Sequence, residues 1–494
     1  MTEFERTSPI NTTATELLEW HLRPGAFERL VPPWDGTRVV KRSGSITDNS
    51  MHVSLSVPLP GGLRQRWDLH HENYDPSGAF DDVLDRGAFP AWRHEHRMRS
   101  ADGGSSELSD SIAYTLPLGP LGRLGGTGIV RRRLERMFTW RHTVTRGDIE
   151  AHARAGLAPM RIAITGATGT IGRALAAYLS TAGHTIVPIS RSPLNHLPAG
   201  EPLSMAPAVL WDPQAGTIDA EALAGVDAVI HLAGEPVAPD RWFPPARWTQ
   251  SSMRAIRESR VQGTGLLART LAAMDTPPRV LISASAIGIY GDCGDDELTE
   301  AAPAGTGFLC DVAQEWEAAA DPAREAGIRV VHPRFGIVLT PEGGALKRLL
   351  LPTRLGAGGP MGSGRQWWSW VALDDVLGAI EHALANDSIE GPMNVAAPHA
   401  LRQRELARTL GRILRRPSFA PAPAAALRLV LGRGLADEML LASAHVTPRT
   451  LLDTGYVFRY PNAEDALRHQ LGRGDSLDTL PEQSASATNM VASA

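Results

Sequence analysis

The segment Arg161-Ile-Ala-Ile-Thr-Gly166-Ala-Thr-Gly169-Thr-Ile-Gly172 sets three glycines at Gly-x-x-Gly-x-x-Gly spacing directly after a short apolar run. A helical pattern follows through Ala174, Leu175 and Leu179. A strand–turn–helix of this kind allows a tight turn and brings backbone close to a pyrophosphate. It also offers the phosphates the free N–H groups and partial positive charge of a helix amino terminus. The chemistry is dinucleotide binding, and the candidates are Gly166, Thr168, Gly169, Thr170, Ile171 and Gly172. The next strand, Thr-Ile-Val-Pro-Ile-Ser, ends in Arg191. An acid there would bond the ribose 2′-hydroxyl of NAD, whereas an arginine accommodates the 2′-phosphate of NADP. The expected cofactor is therefore NADP.

Two later segments could meet the same ligand. Asp227-Ala-Val-Ile-His-Leu-Ala-Gly234 reads as a buried strand ending in small residues, so backbone at Leu232, Ala233 and Gly234 could cross the cofactor. Glu235 follows, a candidate carboxylate base. Leu281-Ile-Ser-Ala-Ser-Ala-Ile-Gly-Ile-Tyr-Gly291 is a further strand with hydroxyls at its carboxyl end: Ser283 toward the cofactor, Ser285 toward a substrate, and Tyr290 close behind. Ligands bind along that edge of a doubly wound sheet.

These residues need an alternating strand–helix frame, and the sequence supplies one from about residue 160. Strands are predicted at 161–165, 185–189, 228–232, 279–283 and 329–332, with helical pattern between them, which argues for a parallel sheet. From about 398 the chain reads as helical, and 471–494 as a disordered tail. Residues 1–150 differ. They hold five of the twelve tryptophans and seven of the sixteen histidines, and their periodicity is mostly two. Strands are predicted at 51–57, 64–70, 91–99 and 106–116, then a helix at 127–141, giving an α+β domain joined by a linker at 151–159.

Composition narrows the partners. The 494 residues carry 49 basic and 54 acidic groups, a net charge of −5, which argues against nucleic acid. No apolar run approaches a membrane span and the amino terminus lacks a secretory pattern, so a cytoplasmic protein is expected. Two cysteines exclude a disulfide framework and a cysteine-rich zinc site. Only Lys41 and Lys347 are lysines, and none of the six tyrosines precedes a lysine by four residues.

Residues 160 to about 468 resemble the extended short-chain dehydrogenase/reductase superfamily. Within it they resemble the epimerase-like branch with a helical carboxy-terminal domain of unknown function. The resemblance rests on the glycine segment, His231-Leu-Ala-Gly-Glu235, Arg254-Ala-Ile-Arg-Glu-Ser-Arg260, Ser283-Ala-Ser-Ala-Ile-Gly-Ile-Tyr-Gly291, Arg334-Phe-Gly-Ile-Val-Leu339, Gly362-Ser-Gly-Arg-Gln366 with Trp370 and Asp374-Asp375, and Gly455-Tyr-Val-Phe-Arg-Tyr-Pro461. The first 150 residues are similar to START-like helix-grip (SRPBCC) domains, on Pro24-Gly-Ala-Phe-Glu-Arg-Leu-Val-Pro-Pro-Trp34 and Gly87-Ala-Phe-Pro-Ala-Trp-Arg-His-Glu-His96. The implied architecture is a Rossmann doubly wound parallel sheet (160–397) with a small helical domain (398–470), preceded by an α+β helix-grip domain (1–150) that holds an apolar ligand between sheet and helix.

The resemblance also implies a catalytic tyrosine, a lysine four residues later that lowers its pKa, and a serine that orients the substrate oxygen. Ser285 fits the serine. With Trp316-Glu317 as the helix anchor, Leu309 and Ala313 stand at the other two positions, so both groups are missing. Tyr290 and Glu235 are the substitutes. Cys310 is expected to be a buried inert thiol, and Lys347 to meet substrate or solvent. The loop Arg354 to Gln366 with Trp367, Trp368 and Trp370 is expected to form a substrate pocket. His94 and His96 share a strand face, with His70 and His71 on an earlier strand; without an acidic ligand forced into the group, they read as pocket lining rather than a metal centre. The resulting function is an NADP-dependent epimerase-like oxidoreductase acting on a small, apolar substrate. The alternatives are a non-catalytic NADP-binding regulator, of the kind some relatives described as cell-division inhibitor-like suggest, and a hydrophobic-ligand carrier.

Overall fold

A computed structural model describes residues 1–117, 119–193, 207–238 and 247–474. The chain begins with β1 (Thr2–Ile10) and α1 (Ala14–Leu22), the latter opened by a reciprocal cap between Thr13 and Glu16. A short α2 (Ala26–Arg29) leads to β2 (Arg38–Ser43), β3 (His52–Pro58), β4 (Arg64–Asp75), β5 (Ala79–Arg86), β6 (Ala91–Ser100) and β7 (Ser106–Thr115). All pair antiparallel in the order β1-β7-β6-β5-β4-β3-β2. The long α3 (Gly119–Ala155) closes one face, packing Leu134 and Phe138 on Phe4, Ile112 and Tyr114. The four predicted strands correspond to β3, β4, β6 and β7. β1 and β5 lie outside them because charged residues such as Glu3, Glu5, Asp81 and Asp82 break the apolar alternation.

The helix differs from expectation at its far end. It continues to Ala155, through half of the predicted linker 151–159. His152 at that end bonds Glu381 at 2.6 Å and Thr181 at 3.2 Å, and Ala151 packs on the next hydrophobic core. A segment with such partners has a reason to stay helical, which a solvated linker lacks.

The second layered unit runs β8 (Arg161–Thr165), α4 (Thr170–Thr181), β9 (Thr185–Ser190), β10 (Val209–Asp212), β11 (Thr217–Ile218), β12 (Ala228–His231), α5 (Gln250–Ala272), β13 (Val280–Ser283), β14 (Ser285–Ala286), β15 (Glu297–Leu298), α6 (Phe308–Ala318), α7 (Asp321–Glu325), β16 (Arg329–Phe335), β17 (Ile337–Leu339), α8 (Gly344–Arg354), β18 (Trp367–Trp368), β19 (Trp370–Ala372), α9 (Leu373–Ala385) and β20 (Gly391–Val395). β13 and β14 follow one register along β16 (Val280 opposite Arg329, Ser285 opposite Arg334), so they are one strand interrupted at Ala284. The parallel order is then β10-β9-β8-β12-β13-β16-β20, a doubly wound sheet with its switch point between β8 and β12. Side chains alternate between its two faces. Ile162, Ile164, Ala228, Ile230, Val280 and Ile282 meet α4 and α9, while Ala163, Val229 and Leu281 meet α5 and α7.

The carboxy-terminal part contains β21 (Leu401–Arg402), α10 (Gln403–Leu414), α11 (Ala424–Leu431), α12 (Arg433–Ala436), β22 (His445–Val446), α13 (Arg449–Asp453) and α14 (Ala463–Gln470). Of the predicted disordered tail, 475–494 lies outside the described residues. Leu471 and Gly472 are anchored: their carbonyls accept hydrogen bonds from Arg136 of α3 at 2.9 and 2.6 Å.

The antiparallel unit docks on α4 and α9. Gly25 passes so close to Ala177 that a Cβ would lie 2.5 Å from its carbonyl oxygen. Arg29 is buried between Asp148 (2.7 Å) and Asp374 (2.9 Å), and Arg459 reaches Asp148 at 2.7 Å. Among the described residues no helix is long and apolar enough to cross a membrane.

Candidate functional site

The glycine segment forms the turn between β8 and α4. Gly166 takes φ +67°, and a Cβ there would lie 2.9 Å from Ala233 N and Leu232 C. At Gly172 a Cβ would lie 2.2 Å from the Gly166 carbonyl oxygen, so only hydrogen fits. Gly169, extended and exposed, stands at the N-cap of α4 without a side-chain cap. The first amides of α4, at Thr170, Ile171 and Gly172, are thus left to an external acceptor. Thr168 beside them is exposed. This is a cradle of backbone donors, and it fits a dinucleotide pyrophosphate.

Across the switch point the end of β12 is tied to the same turn. Thr165 Oγ1 accepts hydrogen bonds from Leu232 N (3.0 Å) and Ala233 N (3.1 Å) and bonds His231 Nδ1 at 2.7 Å. Burial lowers the His231 imidazole to about 4, with the nearby Arg260 charge adding to the effect, so the ring is neutral. Gly234 lies against the Arg260 guanidinium. Leu232, Ala233 and Gly234 therefore stand beside the glycine turn. Arg191 is exposed just past β9, and no hydrogen bond or ion pair among the described residues holds it.

At the carboxyl edge of the sheet a second group of side chains comes together. Ser285 Oγ donates to Glu317 Oε1 at 2.6 Å. Arg334 grips the same carboxylate through two bonds, Nε to Oε1 at 2.8 Å and Nη2 to Oε2 at 2.9 Å. Burial pushes the Glu317 carboxyl up, but the Arg334 and Ser285 hydrogen bonds outweigh it and hold the group below the usual carboxylate range. Ser283, two residues earlier, is fully buried, and its Oγ has no partner among the described residues.

Of the other two expected catalytic groups, Tyr290 joins this group through Arg334 and Glu235 does not. Tyr290 is fully buried; its hydroxyl donates to Asn394 Oδ1 at 2.7 Å and accepts from Arg334 Nη1 at 2.9 Å, and burial raises its pKa. Its hydroxyl is thus engaged on both sides. Glu235 is exposed; its backbone N–H donates to Ser259, its carbonyl accepts from Arg260, and its charge acts on the Arg260 guanidinium. Leu309 and Ala313 do lie on α6, as the spacing implied, and the Glu438 carboxylate accepts from the amides of Phe308 (3.2 Å) and Leu309 (2.8 Å) at its start. Glu317 and Arg334 are the residues that sequence reasoning missed as chemistry. Both stood in quoted motifs, one as an alignment anchor and one inside Arg334-Phe-Gly-Ile-Val-Leu339, but nothing in their spacing showed that they meet.

The predicted substrate pocket at 354–370 is a correction. Trp368 and Trp370 are core residues, bonding the carbonyls of Leu440 and His399, and Trp367 is sandwiched between Arg402 and His445. The loop glycines serve close packing: a Cβ at Gly359 would lie 1.9 Å from the Ala420 carbonyl oxygen. Cys310 is a buried thiol whose pKa burial pushes up to about 11. Lys347 lies near Glu342, whose carboxyl burial raises.

Between the antiparallel sheet and α3, where an apolar ligand is expected, polar side chains lie within the core. That interior holds the buried side chains of His21, His94, His96, His142 and Asp110, and its cavity of about 10 Å³ has room for about one water molecule. A larger depression of about 450 Å³ beside β1 and α3 is lined by Glu3, Glu5, Arg6, Arg131 and Glu135, so it is charged.

Comparison with known proteins gives the following. Residues 162–396 match the NAD dependent epimerase/dehydratase family, and residues 422–470 match a domain of unknown function, DUF1731. The chain is 36% identical over 313 residues to an epimerase family protein of Mycobacterium bovis, a match covering 63% of this chain and 98% of that one. It is 35% identical over 311 residues to human epimerase family protein SDR39U1, covering 63% and 99%. Among solved structures, the nucleoside-diphosphate sugar epimerase from Corynebacterium glutamicum is similar at TM-score 0.75 and 30% identity, over 96% of this chain and 91% of that one. Human SDR39U1 (isoform 2) with NADPH is similar at TM-score 0.55 and 33% identity, over 63% and 99%.

Proposed function

Because the chain belongs to the NAD dependent epimerase/dehydratase family, we propose that it is an NADPH-dependent epimerase-like oxidoreductase acting at a carbon–oxygen centre of a small substrate. The observation that carries this reading is the backbone cradle at Gly166, Gly169 and Gly172, with Arg191 at the end of the next strand to meet a 2′-phosphate. When bound, NADPH would supply a hydride to the carbonyl carbon. Leu232, Ala233, Gly234 and Ser283 would line the path of the cofactor toward the sheet edge. NADPH in the human relative and the nucleoside-diphosphate sugar in the name of the Corynebacterium relative support the cofactor and suggest the substrate class.

The proton is handled by Ser285 and Glu317. In the oxidative direction a substrate hydroxyl gives its proton to Ser285 Oγ as Ser285 passes its own to Glu317 Oε1, and reduction runs the relay backwards. Arg334 fixes the carboxylate in place and also makes it a weak base, so slow turnover is expected. Residues 1–150, extended by the rest of α3, are read as a START-like helix-grip module whose interior is polar rather than a lipid carrier.

The test uses the full chain. NADPH and NADH are titrated by fluorescence, and oxidation of NADPH is followed with ketones, aldehydes and nucleoside-diphosphate sugars. The expected result is tighter binding of NADPH, a larger loss for NADPH than for NADH in Arg191→Asp, and turnover that Ser285→Ala abolishes. Absence of NADPH binding overturns the reading. Tight binding with no turnover across the panel replaces it with the regulatory reading, which Leu309 and Ala313 at the missing tyrosine and lysine positions would then explain.

A further inference from the structure

The helix-facing side of the antiparallel sheet carries a cluster of buried polar groups beside its apolar core. Their arrangement follows from strand register. His71 of β4 stands opposite Asp82 of β5, Asp82 opposite His94 of β6, and His96 of β6 opposite Asp110 of β7. Because side chains two apart share a face, His94 and His96 both turn inward beside Asp82 and Asp110. His94 and His96 are more than nine-tenths buried.

The three groups Asp82, His94 and His96 converge. Asp82 Oδ2 lies 3.5 Å from His94 Nδ1 and 3.3 Å from His96 Nε2, and one donor atom from each residue falls within 4.8 Å of the other two. Ligands about 2.0–2.1 Å from a tetrahedral zinc-like ion are spaced roughly 3.3–3.4 Å apart, so the two Asp82–histidine distances fit ligands of one cation as well as they fit a hydrogen bond. The far side of each group is occupied. His94 Nε2 bonds Asp110 Oδ1 at 2.8 Å, and His96 Nδ1 lies 2.8 Å from the same oxygen. Asp110 Oδ2 is held at 2.7 Å by His142, whose other nitrogen meets Ser8 at 2.9 Å. His71 Nε2 lies 2.8 Å from Asp82 Oδ1. A carboxylate hydrogen-bonded behind His94, and one in ion-pair contact behind His96, orient the two imidazoles as partners of ligating histidines do in metal centres. Among the described residues, His71 Nδ1 has no hydrogen bond, the close contacts of Asp82 Oδ1 and His96 Nδ1 lack hydrogen-bond alignment, and His96 Nε2 and Asp82 Oδ2, which face each other, share one long hydrogen bond at 3.3 Å.

We propose that Asp82, His94 and His96 form a binding site for a divalent transition cation of the zinc type, with Asp110 and His71 as positioning residues. Two imidazoles and one carboxylate suit zinc and its first-row neighbours and disfavour calcium and magnesium, which take oxygen ligands. Phe80 stacks on His96 with ring centroids 4.3 Å apart, and the edge of Phe138 meets His94 at 5.2 Å, so the centre is walled by apolar rings and closed by α3.

The full chain, purified without a histidine tag and stripped with chelator, is titrated with Zn²⁺ and with Co²⁺. Metal content is read by mass spectrometry, ligand geometry by the cobalt absorption spectrum, and stability by thermal melting. About one ion per chain, a tetrahedral cobalt spectrum and a raised Tm are expected, with no response to Mg²⁺. Asp82→Asn is expected to abolish binding, and Asp110→Asn to weaken it about 10- to 100-fold. If a variant does not fold, the wild-type cobalt complex is examined by proton NMR, and paramagnetically shifted imidazole resonances from two histidines are expected. Less than stoichiometric binding, binding that survives Asp82→Asn, or a wild-type cobalt complex without two shifted imidazoles would overturn the proposal. None of these readouts involves NADPH, so the outcome is independent of the proposed function.

Discussion

The glycine cradle before α4 and the histidine face of β6 are built from opposite materials. The cradle is made of backbone: its donors are amides, and its shape depends on side chains that are missing at Gly166 and Gly172. The histidine face is made of side chains, held in place by strand pairing and by carboxylates from neighbouring strands. A backbone site is local, since one turn of a dozen residues contains it. A side-chain site on an antiparallel sheet is assembled from residues far apart in sequence, and it exists only in one register.

The sharpest way to break this contrast is to add atoms to the cradle. In Gly172→Val the new Cβ would meet the Gly166 carbonyl at 2.2 Å, and relief requires moving α4 away from β8. NADPH affinity is expected to fall by about 100-fold, roughly 2.8 kcal/mol. Fluorescence titration checks it, with circular dichroism as the control for folding. Affinity within a few-fold of the wild type would mean that the phosphates are held by side chains after all, and the contrast would fail.

The same contrast explains what could be read from the chain. The glycine spacing, the apolar run of β8 and the small residues after β12 are local signals, and they located the doubly wound sheet and its switch point. For Tyr290 the sequence shows proximity to Ser285 but not that Asn394 and Arg334 bond its hydroxyl. Glu317 was overlooked because it reaches Ser285 from a helix 32 positions away. Asp82 and Asp110 were invisible as partners of His94 and His96 for the same reason, since register joins them and no motif does. The tryptophans at 367–370 looked like pocket walls because aromatic residues beside glycines have that composition; only the packing of α10 and α14 shows a core.

The two regions are not independent, and their junction offers the next test. Asp374 receives Arg29 from the antiparallel unit and His469 from the carboxy-terminal helix, all of them buried. Asp374→Ala leaves Arg29 with Asp148 alone and removes the carboxylate contact of His469, and it is expected to cost about 3–5 kcal/mol, read by urea unfolding, with separate transitions for the two units. Burial pushes the Asp374 carboxyl up, but His469, Arg29 and Arg459 outweigh it and hold it well below its ordinary value of 3.8. Its contribution is therefore complete above about pH 4 and is lost as pH falls below that. Wild-type stability should drop more steeply than that of Asp374→Ala across this acid range. Parallel acid profiles would show that the pair contributes no net attraction.

The smallest expected effect separates packing from chemistry at the sheet edge. Tyr290→Phe removes a hydroxyl that bonds Asn394 and Arg334, while Arg334 keeps both of its bonds to Glu317. The loss should be about 1–2 kcal/mol of stability, the cost of one buried hydrogen bond and a partly unsatisfied partner. If turnover is found, kcat should stay near that of the wild type, because the proposed relay runs through Ser285 and Glu317, and Arg334 still holds Glu317. A general acid or base would instead lose about 10²- to 10⁴-fold in kcat. Such a loss in Tyr290→Phe, with Ser285→Ala still active, would move the proton relay from Ser285 and Glu317 to Tyr290. It would also mean that the sheet edge opens when substrate binds, because Tyr290 could reach the reacting oxygen only after releasing Asn394.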